Sequence, residues 1–281
     1  GVDIHKIEKP LIPEMGGTSV FFTLLVMNYL CLYFRFLTLE YFLGFTFTII
    51  IVAIIGFIDD VYKLKGVYKP LLLGLLAGLP LIYFGTYNPS IKMPFIEGFF
   101  IPIIYPFLIP LVIAVTSNSF NMLDPFNGTM TTGTVIISVT LLIISYLMGN
   151  IISTVYLAVF LGAVLGLYYY NRYPSKVFTG NIGSLTIGAT VGIIAIQGRM
   201  EFIVLVAILP YIMNSFFILS SIRGLKEKSE IKERPTKLLN DGFLEASTNP
   251  DAPLTVARLF LSGEKLTELQ VIRRITLLFV I

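Results

Sequence analysis

Residues 41–69 read YFLGFTFTIIIVAIIGFIDDVYKLKGVYK. Positions 41–58 carry no charge; Asp59 and Asp60 follow, with Lys63, Lys65 and Lys69 behind them. An uncharged apolar run of about this length matches the hydrocarbon thickness of a bilayer. The stretch therefore reads as a spanning helix that ends in charge, and the same pattern recurs on both sides of it.

Of the 281 residues, 56% are hydrophobic and only 13% charged, with a mean hydropathy of +0.85. That balance excludes an ordinary soluble domain and points to an all-α, polytopic membrane bundle. Apolar runs near 18–37, 41–58, 70–85, 101–117, 130–148, 151–170, 183–198 and 201–221 are the expected spans, and a ninth begins near 268 and is cut off by the C-terminus of the chain. No strand-like alternation suggests a barrel. The net charge of +3 gives no reason to expect a nucleic-acid partner. The single Cys31 lies in an apolar run and excludes an internal disulfide. The single histidine, His5, reads as a solvated loop residue, since one His makes no ligand set. The chain starts with Gly rather than Met and reads as a fragment of a longer protein, organised as one domain over 1–281 with a polar segment at 222–267.

Charge placement orients the bundle. If 1–17 lies on one side, that side also receives 59–69, 118–129, 171–182 and 222–267, and with them Lys6, Lys9, Lys63, Lys65, Lys69, Arg172, Lys176, Arg223, Lys226, Lys228, Lys232, Arg234, Lys237, Arg258 and Lys265. Only Arg35, Lys92 and Arg199 fall towards the other. The positive-inside rule makes the richer side cytoplasmic.

Three stretches carry chemistry, all on that side. Asp59 and Asp60 sit at a helix C-terminus, where the helix dipole disfavours carboxylates and two adjacent ones repel. Residues 116–133, TSNSFNMLDPFNGTMTTG, place Asn118, Asn121, Asp124 and Asn127 at the mouth of a span. Amides cost free energy to desolvate, so their concentration there suggests a bound ligand. Residues 171–189, NRYPSKVFTGNIGSLTIGA, turn through glycines into an apolar helix whose N-terminus suits a phosphate. Carboxylates and amide oxygens suit a hard cation such as Mg²⁺, and lysines suit phosphates. A phosphate-bearing substrate at the membrane surface follows.

These motifs, in this order, resemble the polyprenyl-phosphate N-acetylhexosamine-1-phosphate transferases, especially the archaeal and eukaryotic branch acting on UDP-GlcNAc and dolichyl phosphate. IPEMGG (12–17), GFIDD (56–60), Lys69, NSFNMLDPFNG (118–128), VFTGNIGS (177–184) and KERPTKLL (232–239) carry the resemblance over essentially the whole chain. It implies ten helices, of which this chain lacks the first, and makes 222–267 a substrate-recognition insertion. It also implies a reaction in which a polyprenyl or dolichyl phosphate attacks the β-phosphate of a UDP-sugar and UMP leaves. By the same resemblance Asp59 and Asp60 are the catalytic carboxylates, with Lys69 beside them. Asn121 and Asn181 hold Mg²⁺, for which Mn²⁺ can substitute. Glu14, Asn118, Asn127 and Phe178 belong to the nucleotide-sugar pocket, Phe178 stacking on uracil. Lys232 and Arg234 contact phosphate or sugar. Membrane lipid is a further partner, and family members include homodimers.

Three departures from the family pattern stand out. Asn181 replaces an Asp, which removes one formal charge from the metal site. At an effective dielectric near 20, a unit charge pair about 4 Å apart is worth roughly 4 kcal/mol. Impaired turnover with retained UDP-sugar binding is the expectation, unless Asp124 compensates. Pro125 stands where bacterial relatives carry Gly, and Glu233 stands where a His is common. Two other readings compete: a non-catalytic binding homologue, favoured by Asn181, and a transporter, disfavoured because the polar residues gather at helix ends rather than at the midplane.

Overall fold

The computed structural model describes residues 1–64, 66–93, 96–123, 126–222, 224 and 233–280. Among these residues it is a helical bundle with two small antiparallel hairpins. Helices occupy all eight expected runs. They are α1 (Thr18–Tyr33), α2 (Leu39–Tyr62), α3 (Tyr68–Leu72) joined through a π-helical turn (Leu73–Ala77) to α4 (Leu79–Tyr83), α5 (Tyr105–Met122), α6 (Thr129–Leu147), α7 (Ile151–Asn171), α8 (Gly180–Gln197), and the pair α9 (Glu201–Ala207) and α10 (Leu209–Ser221). By length and apolarity α2, α6, α7 and α8 can each cross a membrane, and α9 with α10, bent by 66° between them, have the length and apolarity of a fifth if the pair acts as one span. The bend falls at Ile208, just before Pro210. Proline at this position lacks the N–H that would have continued the ladder of α9.

A helix begins at 268, where the ninth run is expected. Residues Glu268–Leu277 are a short helix, α12, with Val271, Ile272 and Ile275 buried. Gln270, Arg273 and Arg274 share the helix with that apolar stripe, so it is amphipathic, and it packs on α6 and α11 (Val256–Phe260). Thr267 and Gln270 close a reciprocal capping box at its start.

The centre of the bundle is α8. Of its sequence, GNIGSLTIGATVGIIAIQ, every residue from Ile182 to Gln197 is buried. Small residues on all faces let α2 and α5 pack against it at close range. Its N-terminal end meets α1 most tightly: a Cβ on Gly17 would stand 2.2 Å from the Gly183 Cα. Next to this crossing the chain pairs by backbone, with the Phe178 amide donating to Pro13, Gly16 to Phe178 and Gly17 to Thr179. At the opposite end of the bundle lies the hairpin of β1 (Ser90–Met93) and β2 (Ile96–Phe100), beside α9. The Asn150 side chain closes that end by donating to the Gly198 carbonyl. The second hairpin, β3 (Thr236–Leu238) with β4 (Leu244–Ala246), is extended by a bridge between Leu244 and Leu266. Cys31 is buried and unpaired.

Candidate active site

Three helix ends converge: the C-terminus of α2, the C-terminus of α5 and the N-terminus of α8. Two carboxylates look misplaced at the end of α2, and the structure resolves this by giving each another partner. Asp60 reaches across to the start of α8, where Oδ1 accepts from the Asn181 amide (3.0 Å) and the Asn181 side chain (2.8 Å), and Oδ2 accepts from the Ile182 amide (3.2 Å). It thus satisfies orphan donors at a helix N-terminus, where a negative charge is favoured. Gly180, with φ +73°, makes the turn that aims these amides; a side chain there would meet both a strained backbone and Met15.

Asp59 is buried and bonded on both oxygens. Oδ1 accepts from the Leu64 amide at 3.0 Å, which folds the chain back after α2 through Lys63 in a left-handed conformation. Oδ2 lies 2.5 Å from the Lys69 ammonium. With side-chain exposures of 16% and 7%, Lys69 is partly and Asp59 fully buried, so removing the lysine leaves a buried carboxylate and is costly. The same ammonium reaches Asn121 Oδ1 at 3.3 Å and Asn181 Oδ1 at 3.5 Å. Asn121 in turn donates from Nδ2 to Asn181 Oδ1 (2.6 Å) and to Ser184 Oγ (2.7 Å). Asp59, Asp60, Lys69, Asn121 and Asn181 are therefore one connected network, with Ser184 as a member not anticipated from sequence. The available signal was its place as the last residue of the Gly-Asn-x-Gly-Ser turn, 180–184, one helical turn beyond Asn181.

The donors around Lys69 are hard oxygens: one carboxylate and two amide carbonyls within 3.5 Å of a single positive charge. That chemistry fits Mg²⁺. Asp59, Asn121 and Asn181 are the residues that would hold it, with the Lys69 ammonium marking a place where positive charge is already stabilised.

The other candidates lie around this network without joining it. Asn118 is one helical turn from Asn121, but its amide donates to Ala114 in its own helix. Glu14 is exposed, held near Phe178 by the backbone pairing of 13–17 with 178–179 and 3.1 Å from the Gly1 ammonium. Asn127 is buried and donates to Asp3 Oδ2 at 2.9 Å. Arg234 lines a cavity of about 620 Å³ with His5, Lys9, Glu233, Lys237 and Asn240. Lys232, Asp124 and Pro125 lie outside the described residues. His5 is not the solvated loop residue expected: its ring stacks on Phe126 with centroids 4.3 Å apart. The N-terminal strap is pinned down by the Asp3–Asn127 bond, and this carries His5 onto the bundle.

The fold and this polar centre define a polytopic helical membrane protein with an oxygen-rich, lysine-centred site at one end of the bundle. Comparison with known proteins makes the class specific. Residues 42–199 match glycosyl transferase family 4, and the chain belongs to that family. It is 34% identical over 247 residues to a Methanocaldococcus jannaschii protein provisionally named a glycosyltransferase, covering 87% of this chain and 73% of that one. It is 30% identical over 220 residues to a Saccharolobus solfataricus protein provisionally named a UDP-N-acetylglucosamine–dolichyl-phosphate N-acetylglucosaminephosphotransferase, covering 76% and 67%. It is also 30% identical over 253 residues to the phospho-N-acetylmuramoyl-pentapeptide-transferase of Borrelia garinii, covering 79% and 71%.

Proposed function

We propose that this protein transfers a sugar 1-phosphate, GlcNAc 1-phosphate in the favoured reading, from a UDP-sugar to a polyprenyl or dolichyl phosphate, with Mg²⁺ and at the cytoplasmic face. The observation that carries the reading is the Lys69–Asp59 pair tied to Asn121 and Asn181. It is a fixed charge array with neutral amides around it, suited to a pyrophosphate that a wall of carboxylates would repel. The family membership and the names of the relatives support the reaction class.

In this reading an oxygen of the lipid phosphate attacks the β-phosphorus of the UDP-sugar, and the bond from that phosphorus to the oxygen bridging to UMP breaks. The second pKa of a phosphomonoester is about 6, so the nucleophile is mostly dianionic at neutral pH and needs orientation more than a strong base. Asp60 is occupied by three donors at the head of α8 and serves as an anchor that positions Asn181. Asp59 holds Lys69, whose ammonium faces the transferring phosphate. Bound Mg²⁺ supplies charge neutralisation to the pyrophosphate. Asn118, Phe178 and Glu14 flank the nucleotide, and Arg234 with Lys232 reaches the sugar or phosphate.

Asn181 has a consequence at this site. Its Nδ2 donates to Asp60 at 2.8 Å, so an Asp here would set two carboxylates face to face unless a cation or proton lay between them. With Asn the network closes on its own and its demand for a divalent ion falls. The test is UMP release from UDP-GlcNAc with a short polyprenyl phosphate and Mg²⁺, for the protein as it stands and for Asn181→Asp. The Asp variant is expected to turn over at least ~10-fold faster and to respond more steeply to Mg²⁺. Equal rates and equal Mg²⁺ dependence would sink the Asn181 argument. Silence from both, with folded protein that still binds UDP-GlcNAc, would favour the non-catalytic homologue.

A further inference from the structure

A second polar centre lies apart from the Lys69 network, where the N-terminal strap, the turn before α6 and the start of α12 meet. Asp3, His5 and Glu268 each offer a ligand atom there, all within 4.8 Å of one another. Glu268 is only 4% exposed, and among the described residues neither of its carboxylate oxygens makes a hydrogen bond of ordinary geometry, the Asn127 backbone amide stabilising its charge only weakly. A buried carboxylate left this way carries a large desolvation cost unless a cation meets it or it takes up a proton. Asp3 is 2% exposed and held in place, Oδ2 accepting from Asn127 at 2.9 Å and from Lys6 at 2.8 Å, and Oδ1 from the His5 amide at 3.3 Å. The His5 ring is fixed by its stack on Phe126. Ligands oriented by such partners are a hallmark of metal centres.

We propose that Asp3, His5 and Glu268 form a binding site for a divalent transition metal, Zn²⁺ being the ion that suits one imidazole and two carboxylates, which staples the N-terminal strap to α12. The site differs in kind from the all-oxygen centre around Lys69: its imidazole selects a borderline ion over Mg²⁺. Two carboxylates balance the charge of the ion, and Lys6, one-quarter exposed, is displaced from Asp3 when the metal enters. Burial, helped by Asp3, pushes the Glu268 carboxyl up to about 7 against the weaker pull of Lys6 and the Asn127 amide. Burial, helped by Arg234 and Lys6 against Asp3, pushes His5 down to about 4. Glu268 follows Asp3 and His5 by more than 260 positions, so the ion would join segments far apart in sequence. The cavity lined by His5 and Arg234 opens beside this staple.

The experiment uses the purified full chain, stripped with chelator and titrated with Zn²⁺ against a competing chelating dye, with millimolar Mg²⁺ present throughout to satisfy oxygen-donor sites. About one equivalent of tightly held Zn²⁺ is expected, weakened at least ~100-fold by Glu268→Gln and by His5→Gln. Cobalt substitution should give visible d–d bands that His5→Gln abolishes. Thermal melting in chelator checks folding; Glu268→Gln is expected to melt no lower than the parent there, because it removes a buried unpaired charge. If Glu268→Gln fails to fold, His5→Gln on the strap decides. Absence of stoichiometric Zn²⁺ in the parent, or equal affinity in the parent and the folded variants, overturns the proposal.

Discussion

At the scale of single residues, the site turns on how charges are compensated. Lys69→Met strands the buried Asp59, which should cost about 3–5 kcal/mol of stability, so lost turnover in that variant alone says little about catalysis. The double variant Asp59→Asn with Lys69→Met removes both charges. We expect it to recover most of the melting temperature while UMP release stays depressed by at least ~100-fold; recovery of both would make the pair purely structural. Asp60→Asn is different in kind, because it weakens the cap on α8 and should lower turnover through Asn181 while UDP-sugar binding survives. The residue types and spacings of Asp59, Asp60, Asn121 and Asn181 were legible in the sequence. Their division of labour was not, because it depends on which carboxylate faces the head of α8. The placement of His5 was not legible for a related reason: its ring reaches Phe126 only because the Asp3–Asn127 bond holds the strap against the bundle.

At the scale of elements, apolar run length located the helices from α1 to α10 well, since an uncharged stretch has few other places to go. It also located the start of α12, but not the amphipathic packing of that helix, whose Val271, Ile272 and Ile275 are buried while Gln270 and Arg273 stay exposed. The contact between α1 and α8 is the most sensitive packing detail. A Cβ on Gly183 would lie 2.5 Å from the Gly17 Cα, closer than two backbones can yield without shifting. Gly183→Ala should therefore destabilise by about 1–3 kcal/mol and loosen the pairing of 13–17 with 178–179. Gly162→Ala on α7 has open space around it and is the control. Melting of the two variants in detergent checks this, and an equal melting temperature would show that the crossing has slack.

At the scale of the whole molecule, the asymmetry of lysine and arginine was readable before any contact was known, and on it rests the proposed cytoplasmic placement of the Lys69 site. With Cys31 changed to Ser, a membrane-impermeant maleimide applied to intact cells should label Arg35→Cys and spare Lys176→Cys until the membrane is opened. Both positions are exposed, Arg35 just past the end of α1 and Lys176 in the turn between α7 and α8 that leads into the site. The reverse pattern would turn the protein over in the bilayer and separate the site from cytosolic nucleotide sugars. The burial of α8 bears on how the chain is made. Of the four described helices able to cross a membrane singly it is the least apolar, yet 89% of it is enclosed by protein. Lipid alone is a poor host for its threonines, serine and glutamine, so α8 should linger at the insertion machinery until a protein surface receives it. Its two main neighbours, α2 and α5, precede it in the chain, so a growing polypeptide will already have built the slot that α8 enters.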